Sequence, residues 1–133
     1  MAYDIAENLK KVQQRIEDAC RRCGRTPESV RLIAVTKTVS PEQIEKALAA
    51  GARILGENYI QEASSKIATI GKRVEWHLIG HLQTNKAKRA VELFDLIHSV
   101  DSLHLAEAIE KAAAERNRIM PVLVQVNLSG ETS

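Results

Sequence analysis

Val30-Arg31-Leu32-Ile33-Ala34-Val35-Thr36-Lys37 is an aliphatic and β-branched run that ends in a lysine, and Ser40-Pro41-Glu42-Gln43 follows it closely. The run reads as a strand over 30–36. Ser40 and Gln43 have the spacing of a capping box, Pro41 suits the first helical position, Ile44 and Leu48 share a face, and Gly51 stops the helix. A strand that turns directly into a helix begins a βα unit, so Lys37 stands at the carboxyl end of a strand. Ligands and chemistry gather there in α/β folds. A lysine held near apolar walls can lose its proton and act as a nucleophile, which makes Lys37 a candidate for Schiff-base chemistry. The competing reading is a lysine that leaves the strand and extends its ammonium into water.

The unit repeats along the chain. Ahead of it, Ile5, Leu9, Val12, Ile16, Ala19 and Cys23 recur at helical spacing before Gly24, which predicts a leading helix. After it come a short strand over 52–57 and a helix marked by Ile60, Ala63 and Ile67 that stops near Gly71. A strand over 74–79, a helix over 84–93, a strand over 94–100, an alanine-rich helix over 102–117 and a strand over 121–127 complete the pattern. Regular alternation with short connections implies a parallel sheet with right-handed crossovers. A doubly wound sheet and a (β/α)₈ barrel both fit. No glycine-rich phosphate fingerprint follows the first strand, where Thr36-Lys37-Thr38-Val39-Ser40 stands instead, so a dinucleotide-binding domain is disfavoured.

Composition sets the bounds. The 133 residues, 44% of them hydrophobic, suffice for one domain with a real core. Nineteen basic and seventeen acidic residues leave a formal charge of +2, which indicates neither a nucleic-acid nor a membrane partner. No apolar stretch approaches the roughly 18 residues needed to span a bilayer, and charges run through the first thirty residues. The expectation is a soluble, cytoplasmic protein. Cys20 and Cys23 lie at i, i+3 with no further zinc ligands nearby in sequence, and read as plain reduced cysteines.

The five strand ends are all polar. They are Lys37, then Glu57-Asn58, then Gly80-His81 after Trp76-His77, then His98-Ser99-Val100-Asp101, and Gln125-Val126-Asn127. Any one of them reads equally as a helix cap or a solvated loop, and Asp101 or Ser102 is expected to cap the following helix. Together they favour a barrel mouth. His77 and His81 straddle a strand and a loop and lack the glutamate of a metalloprotease helix, so they are expected to pack or hydrogen-bond rather than hold a metal. Lys86, Lys88 and Arg89 read as a solvated basic face.

These residues resemble a known family from end to end of the chain: the pyridoxal phosphate homeostasis proteins, similar to the N-terminal domain of alanine racemase. The motifs that carry the resemblance are Leu32-Ile33-Ala34-Val35-Thr36-Lys37; Gly56-Glu57-Asn58 with Gln61-Glu62; and Trp76-His77-Leu78-Ile79-Gly80 with Leu82-Gln83-Thr84-Asn85-Lys86. His98-Ser99-Val100-Asp101 and Val126-Asn127-Leu128-Ser129-Gly130-Glu131 complete them. The resemblance implies a parallel (β/α) barrel of the alanine racemase N-terminal type, of which this chain supplies about five of eight strands plus a leading helix. It implies that Lys37 holds pyridoxal 5'-phosphate as a Schiff base, the internal aldimine. Asn58 would lie beside the cofactor, and His77 and Asn127 would line the mouth.

A full barrel of this type continues for about a hundred more residues, so residues 1–133 are expected to be the N-terminal portion of a longer one-domain protein. The remainder would carry the phosphate-binding loops after the last strands and an arginine facing the pyridine nitrogen. Binding of the cofactor by these 133 residues is therefore expected to be weak, and the open sheet edges are expected to favour self-association. The resemblance points to a non-catalytic carrier or regulator that buffers pyridoxal phosphate and hands it to enzymes that depend on it. The alternative is a racemase or decarboxylase using the same Schiff base. Racemases of similar barrel fold add a β-rich domain that delivers a catalytic tyrosine, and nothing in this chain encodes one; Tyr59, the nearby phenol, is expected to pack. A purely structural module would leave Lys37 inert.

Overall fold

The computed structural model describes residues 4–130 and 132, so Glu131 of the last motif lies outside the described residues. The leading helix α1 (Ile5–Cys23) starts where the Asp4 carboxylate accepts the Glu7 N–H at 3.0 Å. It stops at Gly24, whose φ of 71° closes the last turn in a conformation that costs glycine little. Cys20 is buried and Cys23 exposed, and both are free thiols.

Five strands and four further helices follow: β1 (Ala34–Val35), α2 (Pro41–Ala49), β2 (Ile54–Glu57), α3 (Ile60–Ile70), β3 (Glu75–Leu78), α4 (Ala87–Leu93), β4 (Leu96–Val100), α5 (Leu103–Glu115) and β5 (Val122–Val124). The capping residues act as their chemistry predicts. Ser40 accepts the Gln43 N–H with Pro41 at the first helical position, and Ser102, rather than Asp101, accepts the Leu105 N–H.

Most elements are trimmed at their ends relative to the sequence pattern, and in three the cause is visible. Among the described residues β1 has a single neighbour, and its ladder holds Ala34↔Leu55 and Val35↔Gly56, so residues 30–33 stay outside the strand. The helix expected over 84–93 spends its first turn, Thr84–Lys86, as a 3₁₀ turn, because Gln83 supplies no side-chain cap and the Lys86 N–H bonds back to the Gln83 carbonyl. β5 keeps three residues of the expected 121–127. It pairs on one side only, and its register with β4 shifts between Ile97 and Val100.

All four strand pairings are parallel and the order is β1-β2-β3-β4-β5. A sheet that grows in one direction through right-handed crossovers carries its helices on one face, whereas a doubly wound sheet reverses direction partway. The helices accordingly form one layer, in which α1 touches α2, α2 touches α3, α3 touches α4 and α4 touches α5. This is the wall of a (β/α) barrel.

The core lies between sheet and helices. Leu55, Trp76, Leu78 and Ile97 on the strands are fully buried with Ile44, Ala63, Val91 and Phe94 of the helical layer. The Trp76 indole N–H donates to the Gly71 carbonyl at 2.8 Å, so its one polar atom is satisfied. The opposite, concave face of the sheet is open: Val35 and Leu123 are each 50% exposed. Among the described residues no helix is long and apolar enough to cross a membrane.

Candidate functional site

Strand alternation sorts the residues at the carboxyl end of the sheet. Val35, Gly56 and His77 are register partners on neighbouring strands and share the concave face. Thr36 and Glu57, one step further along, point the other way, into the helical layer. There they meet Lys66 of α3, which donates to Glu57 at 3.0 and 3.2 Å, to Glu62 Oε2 at 2.9 Å and to the Thr36 carbonyl. The Thr36 hydroxyl also donates to Glu57. Glu57 is 0% and Lys66 5% exposed. An ammonium has three N–H donors, and Lys66 spends them on three residues.

The chain then turns through Lys37. Thr38 has φ 63°, an uncommon conformation for a β-branched residue, and its N–H donates to Glu62 Oε2 at 2.7 Å. The Val39 N–H closes the turn on the Thr36 carbonyl at 3.0 Å. Both neighbours of Lys37 are thus bound to the cluster around α3. Lys37 itself is exposed, and its side chain makes no hydrogen bond or ion pair among the described residues. The Lys66 and Thr38 donors hold the Glu62 carboxyl below its ordinary value of 4.5, Lys66 contributing most.

Asn58 follows directly on the end of β2, the neighbour of the strand that leads into Lys37. Its backbone is pressed against Gly80, where a Cβ would lie 2.5 Å from the Asn58 carbonyl oxygen. Only glycine permits that approach. Asn58, Gln61, Glu62, Gly80, Gln83 and Lys86 line an open cleft of about 790 Å³ between the tops of β2 and β3. Tyr59 reaches the same cleft but is 63% exposed, so it does not pack as its sequence position suggested.

His77 is placed lower than a mouth residue. It is 2% exposed, level with Val35 and Gly56, and its two nitrogens meet Glu75 Oε2 at 3.0 Å and His98 Nε2 at 2.9 Å. Burial, and secondarily His77, pushes His98 below its ordinary value of 6.5, and the His77 bond, helped by Arg31, holds Glu75 below 4.5. His81 is exposed and does not join them. Asn127 is exposed beyond β5 and lines a separate depression with Asp101 and Gln125. The structure therefore sets Lys37 and Asn58 on the segments that leave neighbouring strands, places His77 a step lower on β3, and leaves Asn127 at the far edge of the sheet. No group of three or more metal-ligating side chains is gathered among the described residues.

Sequence reasoning missed the Thr36–Glu57–Glu62–Lys66 cluster. The signal was present: Ala63, Lys66, Ile67 and Ile70 form one helical stripe in which a lysine interrupts buried apolar positions, and Glu62 precedes it at i, i+4.

A one-directional parallel sheet with a single helical layer and a lysine on the turn after its first strand defines a (β/α)-barrel domain whose working end is the carboxyl edge. The chain belongs to the family described as "Alanine racemase, N-terminal domain", which it matches over residues 5–131. It is 41% identical over 98% of its length to the pyridoxal phosphate homeostasis protein of Escherichia coli, and 40% identical over 97% to that of Vibrio alginolyticus. It spans 57% and 58% of those proteins, respectively. Among solved structures, PipY of Synechococcus elongatus with pyridoxal phosphate bound is 43% identical and superposes with a TM-score of 0.81, over 96% of this chain and 56% of that one.

Proposed function

We propose that this chain is the lysine-bearing part of an intracellular pyridoxal phosphate homeostasis protein, with Lys37 as the residue that holds the cofactor as a Schiff base. The observation that carries the reading is the Lys37 amine, exposed and unpartnered on a pinned turn at the end of β1, in a fold that superposes on a relative solved with the cofactor bound. The residues present fit the group. Pyridoxal phosphate would supply an aldehyde, and the Lys37 amine would be the group to join it as an imine with loss of water. Asn58 would offer an amide from the end of the neighbouring strand and His77, held by Glu75 and His98, would form a floor below, while Asn127 lies apart at the far edge of the sheet. Lys66, buried between carboxylates, is not a competing nucleophile.

Residues 1–133 serve as the N-terminal portion of such a barrel, a reading supported by the share of each relative that they span. β1 and β5 each pair on one side only among the described residues, and those edges accept either further strands or a second copy. The role is carriage of the cofactor toward enzymes that use it, without turnover; the names of the relatives support this.

The test is borohydride reduction of cofactor-treated protein followed by peptide mass spectrometry, with the visible absorbance of the imine read in parallel. The adduct should sit on Lys37, and Lys37→Ala should abolish the absorbance. An adduct on Lys46 or Lys86 instead would refute the assignment. Lys37-dependent exchange of an amino acid's α-proton in deuterated water at an enzyme-like rate would replace the carrier reading with an enzyme.

A further inference from the structure

We infer that Lys66, gripped by Glu57 and Glu62, is the positioning residue that fixes the Thr36-Lys37-Thr38 turn and so aims the Lys37 amine toward the mouth of the sheet. The inference rests on the proposed role of Lys37.

Three bonds join the cluster to that turn. Lys66 donates to the Thr36 carbonyl, Glu57 accepts from the Thr36 hydroxyl, and Glu62 accepts the Thr38 N–H at 2.7 Å. The residue before Lys37 and the residue after it are therefore both anchored to α3, nearly thirty residues away in sequence. Thr38 needs the anchor. A β-branched residue at φ 63° persists only where its surroundings over-determine it. Released, Thr38 would relax to negative φ, and that rotation of the peptide plane would change the direction in which Lys37 leaves the turn.

Stability alone does not account for a lysine here. A buried ion pair is no better for the fold than a well-packed apolar pair of the same volume, and the remainder of the α3 stripe is apolar. What an apolar residue cannot do is hold a backbone carbonyl and two carboxylates at once. Lys66 satisfies all three, and the turn that carries Lys37 is what they share. Lys66 itself touches neither the aldehyde nor the water that leaves.

The test uses the whole chain and two readouts. Native-state hydrogen exchange at the Thr38 amide, with global unfolding measured separately, reports the anchor without any cofactor. The pH–rate profile of condensation with excess pyridoxal phosphate, with the adduct mapped after reduction, reports the aim of Lys37. Lys66→Met should speed Thr38 exchange and slow condensation at Lys37, each by about tenfold to a hundredfold, the loss expected for a hydrogen bond to a charged group. Glu62→Ala should do the same. Its carboxylate is partly exposed, so this variant tests the point even where Lys66→Met does not fold. Glu62→Gln keeps an acceptor for the Thr38 N–H and should restore both readouts, which a general loss of stability would not do. Unchanged Thr38 exchange together with unchanged condensation in Glu62→Ala would overturn the inference. Absence of any Lys37 adduct in the unaltered chain would sink the proposed function instead, and the anchor would then stand or fall on Thr38 exchange alone.

Discussion

Lys37 and Lys66 lie on either side of one strand end and are opposites in every physical respect. Lys66 is buried, its ammonium donating to Glu57, to Glu62 and to a backbone carbonyl; Lys37 is exposed, its amine uncommitted. A side chain that already spends all its donors inside the fold serves as architecture. One that spends none is available to a ligand. The pair shows that position at the mouth of a barrel does not by itself identify the lysine that is open to a ligand. The deciding fact is which face of the pleat the chain presents, since Val35 and Gly56 look into the concave side and Thr36 and Glu57 into the helices.

That contrast can be broken in four places. The largest effect belongs to Lys66→Met, which leaves the Glu57 carboxylate buried without its partner and should cost about 3–5 kcal/mol in chemical denaturation. The double change Lys66→Met with Glu57→Met should recover most of that loss. If the double variant is as unstable as the single one, the uncompensated charge is not the cause.

Gly80→Ala comes next. Its Cβ would meet the Asn58 carbonyl oxygen at 2.5 Å, so β2 and β3 must separate at the site, at a cost of about 1–3 kcal/mol in thermal unfolding. Alanine tolerated without loss would mean that the two strand ends are not in close contact.

The third test is acid. Glu62 and Glu75 are held below their ordinary 4.5, and carboxyls depressed in the fold contribute stability above that value that is lost as pH falls toward the folded one. His98 is depressed from 6.5, so the unfolded chain binds its proton first and stability also declines as pH drops through that value. All three groups have the same sign. Stability should decline first as pH falls below about 6.5 and again below about 4.5, and His98→Gln should remove the earlier phase from a pH series of denaturation midpoints. A midpoint that rises between pH 7 and pH 5 would contradict the assignment.

The smallest effect on the fold should be that of Lys37→Ala, within about 0.5 kcal/mol, because an exposed side chain without partners leaves nothing unsatisfied. Its effect on the cofactor should be complete, with loss of the visible imine band. Equal destabilisation by Lys37→Ala and Lys66→Met would erase the distinction between the two lysines.

Much of this fold was legible along the chain. The capping pairs at Ser40 and Ser102, the glycine stops and the alternation of strand and helix each depend on residues a few positions apart, so their physics is complete within a short window. The polar strand ends were legible as a set, with Lys37 and Asn58 on the segments that leave the neighbouring strands β1 and β2. His77 was harder to place, since a histidine near a strand end gives no sign of whether it rises into the mouth or lies a step lower between Glu75 and His98. β5 was overestimated for a related reason. An apolar run promises a strand, but ladder length depends on a neighbour, and β5 has one on a single side.

By itself, then, the sequence determined the order of the elements and the candidacy of Lys37, because local periodicity, capping and short connections with a fixed handedness leave few topologies open, and the choice of a barrel among them came from the family resemblance. Only the tertiary structure decided which lysine is buried and which is offered to solvent. Glu57 and Lys66 are nine positions apart, and Thr36 and Lys66 thirty. Whether such groups meet is set by the register of two strands and the seat of a helix upon them, since strand parity turns one residue inward and the next outward. A slip of a single residue in that register would have exchanged the roles of the two faces.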